Sequence, residues 1–312
     1  MSEVKEADTS SSSCASCGIA EVDDIKLTEC DNCDLVRYCS IKCQKEHKSE
    51  HEEACTTRAI DLRDELLFKQ PESTHLGDCP ICMLPLPIDP TKSTIVSCCS
   101  KIICNGCSVA NKKASMVPSC PFCRYEIESD EEERDKLMMK RIKANDPAAM
   151  LFQAIEEYKK GNYKAAFEWC SKAAALGHVE AQVRLSQIYR DGVVVEKDRG
   201  KEMYHLEEAT IGGHPIARHN LAYDECETYG NIERAVKHFL IAAKQGYDKS
   251  MKTLMELFKQ GLVSKEDLAA ALRAHQAAVD ATKSPQREAA ELVGSNQNED
   301  SVATYLHHTM FG

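Results

Sequence analysis

From Asp146 onward the apolar positions recur with a helical period, interrupted by glycine at regular places. Gly177-His178-Val-Glu-Ala181, Gly213-His214-Pro-Ile-Ala217 and Gly246-Tyr247-Asp-Lys-Ser250 align, and Leu185, Leu221 and Leu254 each follow four residues after the small residue. Asp146-Pro-Ala-Ala149 opens an earlier, weaker copy, so the intervals are 32, 36 and 33 residues. Each unit predicts two antiparallel helices. The second helix ends in a small-residue patch before glycine (Ala173-Ala174, Ala209, Ala242-Ala243), where backbones can approach closely and glycine suits a left-handed cap. A fourth unit runs on from Tyr247, with Ser264-Lys-Glu-Asp267 as the N-terminal cap of its second helix. Four units thus fill 146–283.

The remainder is patterned differently. Residues 1–13 are polar and Ser-rich, which predicts a disordered tail. The apolar spacing of 56–70 suits an amphipathic helix, ended by Pro71 and the polar stretch to Asp78, so 56–78 reads as a linker. The acidic run Asp130 to Glu133 opens a charged linker helix in 125–145, read as a solvated face. Pro285 and the polar residues after it predict a disordered tail over 284–312.

Fifteen of the 17 cysteines fall between Cys14 and Cys123, mostly in close pairs. Such density means disulfides in an oxidising milieu or thiolate-held zinc in a reducing one. The start, Met1-Ser-Glu-Val-Lys-Glu-Ala-Asp, does not read as a signal peptide, and no apolar run is long enough to span a bilayer. The expectation is an intracellular protein of cytoplasm or nucleus, with zinc as cofactor and no membrane partner. The net charge of -11 argues against a phosphate-tracking surface. Residues 14–55 set five basic side chains against ten acids, and the five basic side chains of 79–124 would be offset by cysteines sharing zinc. Nucleic acid is not an expected partner.

The repeat stretch resembles the Sel-one-like subfamily of tetratricopeptide-type repeats, most specifically in the Tyr189-Arg-Asp-Gly192-Val loop, the following Asp198 and the closing Gly-His-Pro-x-Ala. The resemblance implies an α-solenoid with a concave surface for proteins or peptides, and no catalysis. Units one and three depart from it, with shorter turns at Gly161-Asn162 and Gly230-Asn231.

In the first cluster, 14–55, the ligands run Cys14-x2-Cys17, Cys30-x2-Cys33, Cys39-x3-Cys43 and His51-x3-Cys55. A short turn lets two side chains a few residues apart meet one zinc, which takes four donors, so four pairs mean two sites. His47 competes with His51, but the His-x3-Cys spacing puts His51 and Cys55 on one helical face; His47 is expected to be exposed. The order, with Tyr38 directly before the fifth ligand, resembles a MYND zinc finger. By that resemblance Cys14, Cys17, Cys39 and Cys43 hold one zinc, Cys30, Cys33, His51 and Cys55 the other, and the finger binds peptides.

In the second cluster, 79–124, Cys79-Pro-Ile-Cys82 and Cys120-Pro-Phe-Cys123-Arg resemble a RING finger. The resemblance puts Cys79, Cys82, Cys104 and Cys107 on one zinc. At the second site Lys101 stands where a histidine ligand is expected, and an ammonium has no lone pair to give. Either Cys98 and Cys99 both join Cys120 and Cys123, which demands a kinked backbone because adjacent strand residues point apart, or one of them ligates with water, or the site is empty. The resemblance also implies a contact with a ubiquitin-conjugating enzyme through Ile81 and Pro121, and a linchpin role for Arg124 in positioning its loaded ubiquitin. In the alternative reading, Ile81 and Pro121 brace the zinc turns and Arg124 is a solvated cation.

Cys170 and Cys226 are expected as small buried residues of the repeats, Trp169 as a core anchor, His178 and His214 as helix-entry residues, and His307-His308 as part of the tail. No residue is assigned a catalytic role. The whole order looks like a family of zinc-finger plus Sel-one-like-repeat proteins numerous in diatoms and related algae. The expected fold is mostly α: two small cross-braced zinc modules, then an α-helical repeat solenoid. The expected function is a protein-interaction scaffold, with a RING-type ubiquitin ligase as the alternative.

Overall fold

A computed structural model describes residues 13–96, 98–114, 119–126 and 131–293. Its chain forms two compact units, one up to Lys69 and one from Gln70. In the first unit, β1 (Thr28–Glu29) and β2 (Arg37–Tyr38) pair antiparallel, followed by α1 (Ile41–Glu46) and α2 (Lys48–Phe68). Ser40 caps α1 by accepting from the Cys43 N–H. The expected linker helix is not separate: α2 starts inside the finger and carries His51 and Cys55 on its first turns. Arg58 on α2 reaches back with a two-pronged pair to Asp34 at 2.7 and 2.8 Å. Ile60 and Leu66 stay exposed, so the amphipathic reading of 56–70 holds only for buried Leu67. Ser13 pairs with Ala20 in an isolated bridge, so the expected tail is shorter than 1–13; the rest of it lies outside the described residues.

The second unit opens with the second cysteine cluster. A hairpin of β3 (Ser93–Val96) and β4 (Lys101–Cys104) leads into α3 (Asn105–Ala114). Its core is made of Leu86, Val96 and Ile103 together with the cysteines.

The repeats then pair as expected: α5 (Pro147–Lys159) with α6 (Tyr163–Ala175), α7 (Val179–Asp191) with α8 (Arg199–Ile211), α9 (Pro215–Glu227) with α10 (Ile232–Lys244), and α11 (Asp248–Lys259) with α12 (Lys265–Ala281). Ala149, Ala181, Ala217 and Ser250 are buried, as are Leu185, Leu221 and Leu254, and so are the alanine patches of the second helices. Gly177, Gly213 and Gly246 take positive φ at the turn between units, where a side chain would be strained. Ser250 departs from alanine for a visible reason: its hydroxyl meets His219 Nδ1 at 2.8 Å. His178 and His214 cap α7 and α9 through Nδ1, which accepts from the Ala181 and Ala217 N–H groups. Trp169 is only partly buried, with Lys172 4.2 Å above its ring, whereas Cys170 is fully buried.

One expectation is extended and one is overturned. The charged linker contains α4 (Glu131–Lys143), which buries Met138 and Ile142 in the core of the first repeats. The C-terminal segment does not end at Pro285. That proline opens α13 (Pro285–Val293), Ser284 Oγ accepts from the Arg287 N–H, and the helix packs on α3. A polar sequence hid the helix because its buried face consists mainly of Arg287 and Ala290. Residues 294–312, including His307-His308, lie outside the described residues.

Candidate metal centres

Three of the cysteine pairs share one backbone shape. The N–H groups of Cys14, Cys79 and Cys120 donate to the carbonyls of Ile19, Leu84 and Tyr125 at 2.8, 2.9 and 2.8 Å. Gly18, Met83 and Arg124 donate back to the carbonyls of those cysteines at 2.8, 2.8 and 3.0 Å, and all three have positive φ. The tight turn brings the two sulfurs of each pair to the same side, so the donors face inward.

Four sets of donors converge, and within each set the ligand atoms lie within 4.8 Å of one another. Cys14, Cys17, Cys39 and Cys43 form the first, with Cys17–Cys39 and Cys39–Cys43 sulfurs 3.6 Å apart. Cys30, Cys33, His51 and Cys55 form the second, with Cys33 Sγ 3.2 Å from His51 Nε2. Cys79, Cys82, Cys104 and Cys107 form the third, with Cys82 and Cys104 sulfurs 3.8 Å apart. Cys98, Cys99, Cys120 and Cys123 form the fourth, with sulfur contacts of 3.5, 3.6 and 3.9 Å. A tetrahedron of sulfurs about 2.3 Å from zinc has edges of about 3.8 Å, whereas a disulfide needs about 2.05 Å. The donor sets therefore fit zinc and are not disulfide pairs.

The fourth set is built as the two-cysteine alternative requires. Cys98 and Cys99 lie in the turn between β3 and β4, and Ser100 at φ 52° supplies the kink. Lys101 is exposed and sits 4.6 Å over the Phe122 ring. His47 is half-buried rather than exposed. It bonds Tyr38 Oη at 3.1 Å and stacks on His51, so it orients the ring chosen by the i, i+4 spacing.

Electrostatics explains why a dication belongs here. Burial pushes Cys99 up to about 11 and Cys55 up to about 12, and neighbouring sulfurs add to both shifts. Against burial, the Leu84 N–H and Arg287 bring Cys82 of the third set down to about 7, and in the fourth set the Tyr125 N–H brings Cys123 down to about 7. The raised thiols resist ionisation while only like charges and neutral thiols surround them. A bound zinc supplies the positive charge that ionises them together.

A fifth convergence, His75 with Glu180 and His214, was not signalled by the sequence. It is not a metal site. The rings of His75 and His214 stack 4.1 Å apart at 16°, so no ion can lie in both ring planes. His214 Nδ1 is occupied by the helix cap, which leaves Nε2–H to donate to Glu180 Oε2 at 3.1 Å. Glu180 also pairs with Arg184 at 3.0 Å; against burial, these partners hold its carboxyl down to about 2. The cluster fastens the segment before Cys79 to the repeats, helped by the His75 N–H donating to the Gly213 carbonyl at 3.1 Å.

Of the expected partner-binding residues, Ile81, Pro121 and Arg124 are all exposed. No described helix is long and apolar enough to cross a membrane.

Residues 14–55 match the family model of the MYND finger. Residues 149–178, 179–214 and 215–247 match that of the Sel1 repeat. Among solved structures the chain is similar to a Sel1 repeat protein from Oxalobacter formigenes, at 18% identity over 54% of this chain and 80% of that one, with a TM-score of 0.42. It is also similar to c5321, a protective antigen of uropathogenic Escherichia coli strains displaying an SLR fold, at 19% identity over 55% of this chain and 42% of that one, with a TM-score of 0.40. No curated protein matches the chain. The protein carries a MYND finger in its first unit and a run of Sel1 repeats in its second.

Proposed function

We propose that this protein is a zinc-held interaction adaptor of a reducing compartment, cytoplasm or nucleus, with two zinc ions in the MYND finger and two in a RING-like finger. The observation that carries the reading is how the finger spends its residues. Its interior is largely sulfur, while Ile19, Val22, Leu35 and Ile41 are left exposed. Apolar side chains that a small module cannot bury are what a peptide partner covers. The repeats add exposed Tyr204, Tyr223 and Tyr229, the side-chain type that interfaces favour.

Elemental analysis of the purified full chain is expected to give four zinc ions per chain; two or fewer would refute the paired-site scheme. Selection from a displayed peptide library should yield ligands whose binding is lost in Ile41→Asp and kept in a surface control such as Lys42→Ala. Binding untouched by Ile41→Asp would remove the finger from the interface.

A second reading, a RING-type ubiquitin ligase, is favoured by one observation. Ile81, Pro121 and Arg124 all stand in solvent, on turns fixed by metal-site backbone geometry. In this reading the repeats recruit the substrate. Discharge of a ubiquitin-loaded conjugating enzyme, lost in Ile81→Ala and Arg124→Ala, is the result that would establish it over a scaffold.

A further inference from the structure

We propose that Arg287 is a positioning residue for the metal group Cys79, Cys82, Cys104 and Cys107, and that α13 is a clasp whose docking is coupled to metal at that group. The inference rests on the zinc reading above.

Arg287 is 7% exposed, and its hydrogen bonds are unusual for a buried cation. Nη1 donates to the carbonyls of Pro85 and Thr282 at 2.7 and 2.8 Å, and Nη2 to the Leu84 carbonyl at 3.1 Å and to Cys82 Sγ at 3.3 Å. Among the described residues no carboxylate pairs with it. A guanidinium buried without a counter-charge is strongly unfavourable. The one anionic partner within reach is the sulfur group, and four thiolates on one zinc carry a net negative charge.

The clasp grips both halves of the site. Arg287 holds the turn after the first ligand pair. Against the second pair, a Cβ on Gly106 would lie 3.0 Å from the Arg287 backbone nitrogen and 3.1 Å from its Cα, so only glycine lets α13 sit this close to α3. Gln286 donates to the Gly106 carbonyl at 3.2 Å, and Glu291 pairs with Lys92 at 2.8 Å. Gly106 lies between Cys104 and Cys107, so backbone and charge converge on the four ligands from a segment some 200 residues away in the chain. Without metal the two ligand turns lose their common anchor, and with it the fixed placement of the Leu84 and Pro85 carbonyls, Cys82 and Gly106 against which α13 is seated. By reciprocity, docking of α13 must strengthen metal retention by the same factor.

The test uses the zinc-loaded full chain and a chromogenic chelator. In Arg287→Gln one zinc equivalent should leave about 10–100-fold faster, the usual range for losing an outer-sphere partner, with the others unchanged. Arg287→Lys keeps the charge but not the fork, and should fall between; it also serves if the glutamine variant does not fold. Glu291→Lys turns the Lys92 pair into a like-charge contact but leaves the bonds of Arg287 to the ligand turn in place, and should change release less. Amide exchange over 285–293 should become fast in Cys107→Ser, which lacks this one site. Unchanged release in Arg287→Gln, equal acceleration in Glu291→Lys, or persistent protection in Cys107→Ser would each overturn the coupling. Absence of zinc from the wild-type chain would instead sink the metal reading itself.

Discussion

At the scale of single residues, the zinc turns are governed by one backbone requirement. Gly18, Met83 and Arg124 hold the same left-handed position, one residue past the second cysteine of each pair. Only Gly18 does so without strain, and a Cβ there would meet nothing within 4 Å. Gly18→Ala should therefore lose about 1–2 kcal/mol for conformational reasons alone. The check is zinc affinity of the MYND finger by competition, which should fall by about 5–30-fold; an unchanged affinity would show that the turn relaxes. Met83→Gly should be nearly neutral, since the relieved strain is offset by the greater freedom of glycine in the unfolded chain. The sequence made the ligands legible because zinc geometry translates directly into short spacings. It favoured His51 over His47 by helical register, and it showed that Cys98 and Cys99 could act together only across a kink. It could not reveal Arg287 or His75, whose partners are set by packing between segments far apart in sequence.

At the scale of elements, the repeat helices were readable because small residues, caps and glycines recur where backbones meet. The buried polar groups were not, because burial erases the difference between a surface and an interior histidine in sequence. His219 and His238 are held neutral in the fold: burial lowers them to about 4 and about 3. His238 Nδ1 faces Arg218, itself fully buried and donating to the Thr210 carbonyl at 3.0 Å, so a proton there would set two cations together. Below the ordinary histidine value of about 6.5 the unfolded chain binds these protons and the folded chain does not. Stability of the array should thus be complete above about pH 7 and fall as pH drops toward 4, by about 1.4 kcal/mol per unit for each such histidine. Trp169, the single tryptophan, lies in α6 and reports this array. Denaturant titrations followed by its fluorescence should show a midpoint falling steadily from pH 7 to pH 5; a flat profile would mean that the two rings are solvated.

At the scale of the molecule, the expected separation of the second cysteine cluster from the repeats does not hold within the second unit. The second cysteine cluster meets the repeat chain at two ends: Ile95 packs against the core of the first repeats and His75 stacks on His214, while α13 returns from the last repeat to α3. Zinc removal therefore cannot act on the finger alone. A structural site of this type contributes on the order of 10 kcal/mol to the module it orders, so a strong chelator should unfold both fingers. The repeats have their own core of alanine, leucine and isoleucine and should stay helical, but without the support of Ile95 and His75. Burying one large aliphatic side chain is worth about 1.5–3 kcal/mol, which sets the expected loss in the array. Far-UV circular dichroism of the chelated full chain should keep most of its helical signal, and the Trp169 transition should move to lower denaturant by that amount while remaining cooperative. The size of the shift separates the possible couplings. No shift would mean that the finger merely rests on the repeats. Loss of the Trp169 transition together with the metal would mean that finger and array fold as one cooperative body, with zinc ordering the solenoid as well.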